Sequence, residues 1–305
     1  MKTLKTTIPL LLLFISVIAF ADVSPKEKAA LVDFYNSTDG ESWKYSWDLN
    51  EPVDTWHGLL IENDNVVGIS LAFNQIKGEL PESFGDLKHL THINLFRNEI
   101  TGSLPKSIGD LKKLHTLNLA FNKLDGALPR SIGKLESLRS LQLFMNNIEG
   151  EIPKTVGNLT QLEDFEIYNN KFSGELPASI GKLKNLKALM VSSNKLSGKL
   201  PVELSNLKEL KILSLFDNNF FGTLPTSISE LSSLEELILS NNAFYGNLPN
   251  NLAELSNLKV LMLGNNSFKG ELVKLEEQFP NLQQFDVANS QNQGVLATLD
   301  EEEED

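Results

Sequence analysis

Asparagine recurs on a constant 24-residue period, at Asn74, Asn98, Asn122, Asn146, Asn170, Asn194, Asn218, Asn242 and Asn266, eight periods without an insertion. A period of this length held so long marks a linear array of stacked units. Each unit is too small to bury its own apolar face, and it packs only against its neighbours. The chain is therefore read as a solenoid. The repeat dictates most of its positions, and function is sought at those it leaves free.

One repeat reads Leu114-x-x-Leu117-x-Leu119-x-x-Asn122-x-Leu124-x-Gly126-x-Leu128-Pro129-x-x-Ile132-Gly133-x-Leu135. The Leu-x-Leu alternation has the period of two expected of one short strand per repeat. Ten such strands stacked in parallel, about 4.8 Å apart, span on the order of 45 Å. The Asn follows the strand where the chain must turn, and its amide can satisfy buried backbone groups. Glycine at Gly78, and on the same period as far as Gly294, permits a backbone conformation or close approach that a side chain would block. Proline at Pro81, and on the same period to Pro249, fixes an extended turn toward the outer side. The pattern then decays: Val273 stands where proline was due, Glu276 at an apolar position, Ser290 at the next Asn and Ala297 at the next proline. Such decay is expected of a terminal capping repeat whose outer face meets water.

Four segments follow. Residues 1–21 read as a secretory signal peptide: Lys2 and Lys5, a mostly apolar run from Ile8 to Phe20, and the small-x-small sequence Ala19-Phe20-Ala21. Residues 22–64 are read as an N-terminal cap. Ser24-Pro25-Lys26-Glu27 has the pattern of a capping box with proline in the first turn, opening an amphipathic helix through Leu31, Phe34 and Tyr35. All three tryptophans, Trp43, Trp47 and Trp56, follow it. They are suited to cover the open end of the core, with carbohydrate stacking as the sharper alternative. Residues 65–298 hold nine regular repeats and a degenerate tenth, and residues 299–305 are an acidic tail expected to be disordered.

The formal charge is −13, and removing the first 21 residues makes it −15. That field disfavours nucleic acid and anionic membrane surfaces as partners. No membrane insertion is expected once the leader is gone. Cysteine is absent, which leaves stability to packing and excludes thiolate metal sites and cysteine nucleophiles.

The string Asn-x-Leu-x-Gly-x-Leu/Ile-Pro, followed by Ile-Gly-x-Leu, resembles the plant-type leucine-rich repeats of polygalacturonase-inhibiting proteins and plant receptor-kinase ectodomains, and it covers about Val66 to Leu296. Trp56-His57-Gly58-Leu59 leading to Val66-Val67-Gly68-Ile69-Ser70-Leu71 resembles the segment before the first plant repeat. Plant caps usually carry paired cysteines, so this cysteine-free chain looks more like the secreted leucine-rich repeat proteins of bacteria. The resemblance implies a curved right-handed α/β-type solenoid, with a ten-stranded parallel concave sheet and short 3-10 helices or turns on the convex side. It also implies recognition of proteins or peptides on the concave face.

Measured against the repeat, the free columns are uneven. Two residues before each Asn stand Ala72, Phe96, Ala120, Phe144, Tyr168, Ser192, Phe216, Ser240, Gly264 and Ala288. One residue before stand Phe73, Arg97, Phe121, Met145, Asn169, Ser193, Asp217, Asn241, Asn265 and Asn289. Phe73, Phe96, Phe121, Phe144, Met145 and Tyr168 therefore crowd the first five repeats, with Arg97 among them. A contiguous patch of aromatics with an arginine has the composition of a binding hot spot, and these seven residues are the candidate ligand site. The competing reading is that the rings lean on one another and bind nothing.

On the same face, His92, Asn94, His115, Asn118, Arg139 and Gln142 give a basic to neutral start. Glu163, Asp164 and Glu166 form an acidic middle, read as a solvated charged face. Phe221 and Tyr245, on the flank, are candidates for a lateral contact. Phe172, Phe220, Phe244 and Phe268 are read as core. No nucleophile elbow, phosphate-binding loop or zinc motif is present, so no catalytic residue, metal or cofactor is expected. The expected function is a secreted, periplasmic or cell-surface module that recognises a protein or peptide. A carbohydrate-binding envelope protein and a self-associating adhesive protein are the alternatives.

Overall fold

The computed structural model of the chain describes residues 23–288 and 297–298. The proposed leader, the break at Ser290 and the acidic tail lie outside those residues.

The cap begins with helix Pro25–Ser37. Ser24 Oγ accepts from the Glu27 N–H at 3.2 Å and donates to Glu27 Oε2 at 3.1 Å, and proline occupies the first turn, where a missing N–H costs nothing. Leu31 and Phe34 are fully buried. Phe34 contacts Trp43, Trp47 and, at 5.1 Å, Phe84 of the first repeat, so one ring joins the cap to the array. Each indole N–H is satisfied by a backbone carbonyl: Trp43 by Thr38, Trp47 by His57 and Trp56 by Asp48. All three tryptophans are at most 4 % exposed, which leaves no ring face for a sugar and corrects the carbohydrate-stacking alternative in the cap.

Among the described residues the main sheet has twelve strands. The cap strand Leu59–Glu62 pairs antiparallel with Asn65–Ser70, and Ala297–Thr298 pairs antiparallel with Gln284–Asp286. The ten strands from Asn65–Ser70 to Gln284–Asp286 are parallel, as the repeat predicts, with a register of one repeat, so that Leu117 faces Leu141 and Leu141 faces Phe165. Those middle residues point inward and are 0 % exposed. Burying a leucine fully is worth about 1.5–3 kcal/mol, and the array repeats that gain strand after strand.

The asparagines staple neighbouring turns. Asn122 Nδ2 donates to Leu95 O and Leu119 O, both at 3.0 Å, and its Oδ1 accepts from the Ile100 N–H at 3.0 Å. Asn146 and Asn170 repeat the arrangement one repeat further each. Beyond the Asn, the chain enters a second parallel sheet on the flank, six-stranded from Glu149–Glu151 to Ser267–Lys269. Its register falls two residues short of the repeat, with Ser173 opposite Lys195 and Phe221 opposite Ala243. Each strand therefore slips against its neighbour, and the flank runs aslant the array. From Gly78 to Gly270 the repeat glycines take the left-handed backbone, Gly126 with φ 63°. Each proline from Pro81 to Pro225 is extended and opens a five-residue 3-10 helix on the convex side, Pro129 before Arg130–Lys134 for example.

Candidate functional site

The strands proper end four residues before each Asn, as in His92–Asn94 and Thr116–Asn118. The two aromatic-bearing columns lie just beyond, on the edge where the chain turns inward. The hydrogen-bond ladder still reaches them: Phe73, Arg97, Phe121 and Met145 each donate to a carbonyl of the next repeat, at 2.9–3.0 Å. The column immediately before the Asn is left-handed throughout the regular repeats, with φ 57° at Phe73, 53° at Arg97, 55° at Phe121 and 55° at Met145. That turn carries the next side chain, the Asn, into the core. From the fifth repeat on, Asn169, Ser193, Asp217, Asn241 and Asn265 hold the position. Asn and Asp enter this region readily, whereas for a residue of another type it costs about 1–2 kcal/mol.

The structure brings the candidate rings together into one run. Phe73 meets Phe96 at 5.3 Å, Phe96 meets Phe121 at 5.2 Å, and Phe121 meets Phe144 at 5.6 Å, all edge-on. Phe144 then stacks on Tyr168 at 4.4 Å with planes 8° apart. The rings of Phe96 and Phe144 approach to 6.5 Å across the intervening repeat, whose Ala120 in that column is buried. The Arg97 guanidinium lies 5.5 Å over the Phe73 ring. The rings do lean on one another, yet Phe73 stays 52 % exposed, Met145 40 % and Phe121 36 %; Phe96, Phe144 and Tyr168 are half-buried.

The polar columns behave electrostatically as two groups. Along the outer edge, Glu163 is held between Arg139 at 3.1 Å and Lys187 at 2.5 Å, and Glu235 between Lys211 at 3.1 Å and Lys259 at 2.6 Å. The Lys187 hydrogen bond keeps Glu163 below its ordinary value of 4.5, and the Lys259 and Lys211 hydrogen bonds do the same for Glu235. Glu235 is thus a structural ion-pair centre, and its neighbour Glu236 lies on the strand Glu236–Ile238 beside it. Closer to the centre of the face, Glu166 accepts a neutral hydrogen bond, from Gln142 Nε2 at 3.0 Å. Burial, and then the charge of Glu163, push Asp164 above its ordinary 3.8. Burial, and then the charge of Glu166, raise Tyr168. His92 and His115 meet edge-on at 5.9 Å.

A second apolar surface lies where the two columns nearest the Asn carry, apart from Phe216, small or polar residues. Met190, Ile212, Ile238, Val260 and Met262 occupy the outward strand positions of repeats six to nine and are partly exposed, next to Phe216, which is 37 % exposed. They alternate with the buried Leu189, Leu213, Leu237 and Leu261. The sequence signal was available six and four residues before each Asn, columns that carry His, Asn and Gln in the early repeats. Leu60 of the cap strand, 52 % exposed beside Gly68, extends the same face at its other end.

On the flank, Phe221 and Tyr245 are 43 % and 48 % exposed on strands Asn219–Gly222 and Ala243–Asn247. The flank register pairs Phe221 with Ala243, so the two rings sit diagonally, not side by side. The alternate residues Phe220, Phe244 and Phe268 stack inside at 6.2 and 6.0 Å, and Phe172 is fully buried.

Three leucine-rich repeat family descriptions match the chain: a leucine-rich repeat region over residues 168–301, and leucine-rich repeats over 64–124 and 137–159. No curated protein sequence matches it. Among solved structures, it is similar to the ectodomain of the plant membrane receptor kinase GASSHO1/SCHENGEN3 of Arabidopsis thaliana, solved with Casparian strip integrity factor 2: 30 % identity, TM-score 0.82, over 86 % of this chain and 32 % of that one. It is similar also to the plant peptide hormone receptor RGFR1 in complex with RGF2, at 31 % identity and TM-score 0.64 over 73 % of this chain and 40 % of that one. A leucine-rich repeat protein of Leptospira interrogans matches at 30 % identity and TM-score 0.52, over 72 % of this chain and 65 % of that one. The chain thus spans about a third to two fifths of the length of the two receptors. With its 24-residue period, its parallel concave sheet, its buried asparagine ladder and these matches, the chain belongs to the leucine-rich repeat family.

Proposed function

We propose that this protein is a recognition module outside the cytosol that binds a protein or peptide across the concave face, with Phe73, Phe96, Phe121, Phe144 and Tyr168 as anchors, Met145 beside them and Arg97 as the polar clamp. The observation that carries the reading is the backbone under the patch. Four successive repeats place Phe, Arg, Phe and Met in a left-handed position that the following five fill with Asn, Asp or Ser. Each large residue there costs about 1 kcal/mol, with no turn geometry gained. A local cost held over four neighbouring repeats, at side chains that stay exposed, is a pattern that function explains and stability does not. The peptide hormone receptor among the solved neighbours supports a peptide as ligand. The leader-like residues 1–21 support secretion or surface display.

The test is affinity capture from host secretions and surface extracts, comparing the native chain with the triple variant Phe96→Ala, Phe144→Ala, Tyr168→Ala. Truncating hot-spot aromatics costs about 2 kcal/mol or more each, so partners kept by the native chain should be lost by the variant. Undiminished retention by a variant with a native circular dichroism spectrum sinks the reading. Glycan-array binding that these substitutions abolish would instead make a carbohydrate the ligand.

A further inference from the structure

The concave face carries two apolar surfaces, and what lies between them sets the chemistry of the ligand. Tyr168 ends the aromatic run: Phe144 covers one of its faces at 4.4 Å. The next residue in that column is Ser192, whose hydroxyl is turned to Ser214 at 2.7 Å. Among the described residues no second ring meets Tyr168.

One carboxylate, Glu166, stands beside that ring. Glu166 and Tyr168 flank the buried Ile167, so both point to the same side about 6.6 Å apart, whereas Asp164 lies about 13 Å from Tyr168. Among the described residues Glu166 has no cationic partner: Gln142 Nε2 donates to it at 3.0 Å, and the nearby Arg139 and Lys187 are both engaged by Glu163, Lys187 acting on Asp164 as well. The neighbouring strands offer Ser140 and Gln142 on one side and Ala188 and Met190 on the other.

Resting on the reading of the face as a peptide site, we propose that its ligand is a single extended segment whose central cationic side chain, best an arginine, lies on the face of Tyr168 away from Phe144 and pairs with Glu166. Its two ends would cover the aromatic run on one side and the Met190–Met262 surface on the other. A planar guanidinium stacks on an aromatic face and forks to a carboxylate at once, whereas an ammonium acts as a point charge. Eight strand spacings separate Phe73 from Met262, on the order of 38 Å, which an extended chain spans in about 12 residues.

The test is an array of 13-residue peptides, randomised among aromatic and aliphatic residues on both sides of a central position that holds Arg, Lys, Gln or Glu in turn, probed with the full chain. The expected order is Arg, then Lys, then Gln and Glu, with Arg peptides at least tenfold tighter than Gln peptides. The isosteric substitution Glu166→Gln should erase that advantage and leave Gln peptides unaffected. Tyr168→Leu should lower Arg binding while keeping the apolar volume, and thermal midpoints verify that each variant is folded. Gln peptides binding as well as Arg peptides, or a preference that survives Glu166→Gln, overturns the proposal. If peptides of every class bind and all are lost on Phe96→Ala with Phe121→Ala, the peptide site stands and the cation subsite falls. If none binds, or binding ignores those two rings, both fall.

Discussion

Replacing Asn122 by alanine tests the staple that holds the array in register. The residue is 8 % exposed and makes three hydrogen bonds of 3.0 Å besides a longer one, to Ala120 O at 3.3 Å. Their loss is unequal. Leu95 O keeps a second donor in Asn98 Nδ2, and Leu119 O keeps one in Asn146 Nδ2, so each carbonyl drops from two side-chain donors to one. The Ile100 N–H loses its asparagine acceptor in a fully buried setting. A net hydrogen bond is worth about 0.5–1.5 kcal/mol and an orphaned buried donor costs about 1–3 kcal/mol, which together give about 2–6 kcal/mol. Asn122→Asp separates the two roles: it keeps the acceptor for Ile100 but turns an oxygen toward two carbonyls. The folded state must therefore hold the proton of that carboxyl more tightly than the unfolded chain does. The charge penalty is absent at low pH and grows as pH rises, by about 1.4 kcal/mol for every tenfold difference in proton affinity between the two states. Urea unfolding followed by circular dichroism reports the array. Because Trp43, Trp47 and Trp56 all lie in the cap, fluorescence reports the cap separately, and coincident curves license a single free energy. Asn122→Ala costing under about 1 kcal/mol, or Asn122→Asp proving more stable than Asn122→Ala at pH 7, would refute the account of the ladder.

Other outcomes follow from packing and charge. A Cβ on Gly109 would lie 2.2 Å from Ser131 O, whereas on Gly126 it would meet only Ser103 Cβ at 3.1 Å, though with φ 63°. Gly109→Ala should therefore lower the thermal midpoint more than Gly126→Ala, whose cost is about the 1–2 kcal/mol of a left-handed alanine; the reverse order contradicts the convex packing. Glu163 lies below its ordinary value of 4.5, so its stabilisation is present above pH 4.5 and is lost as pH falls through the folded-state value. The stability difference between the native chain and Glu163→Gln should shrink in acid, and a gap that widens there is the wrong sign. Asp164 has the opposite shift, so Asp164→Asn should raise the urea midpoint at pH 7 and lose that advantage below pH 3.8. If the flank rings Phe221 and Tyr245 mediate self-association, sedimentation should be concentration-dependent and become monomeric on Phe221→Ser with Tyr245→Ser.

Much of this molecule is legible in a single repeat of its sequence. A 24-residue period decides which side chains face inward, because lateral neighbours in a parallel sheet are equivalent positions of successive repeats. Leu117, Leu141 and Phe165, the asparagine ladder and the buried Phe220–Phe244–Phe268 stack all follow from that rule, as does the crowding of aromatics between Phe73 and Tyr168. Contacts between different columns do not follow from it, since they depend on how the chain leaves the strand. Only the tertiary structure shows the left-handed turn that gives Phe73, Arg97, Phe121 and Met145 their cost, and the shortened flank register that sets Phe221 diagonal to Tyr245. It also shows Glu163 taking up both nearby cations. Repetition determines what stacks on what; the turns and the competition for partners decide which rings stay open and which charges stay unpaired, and the recognition chemistry lies there.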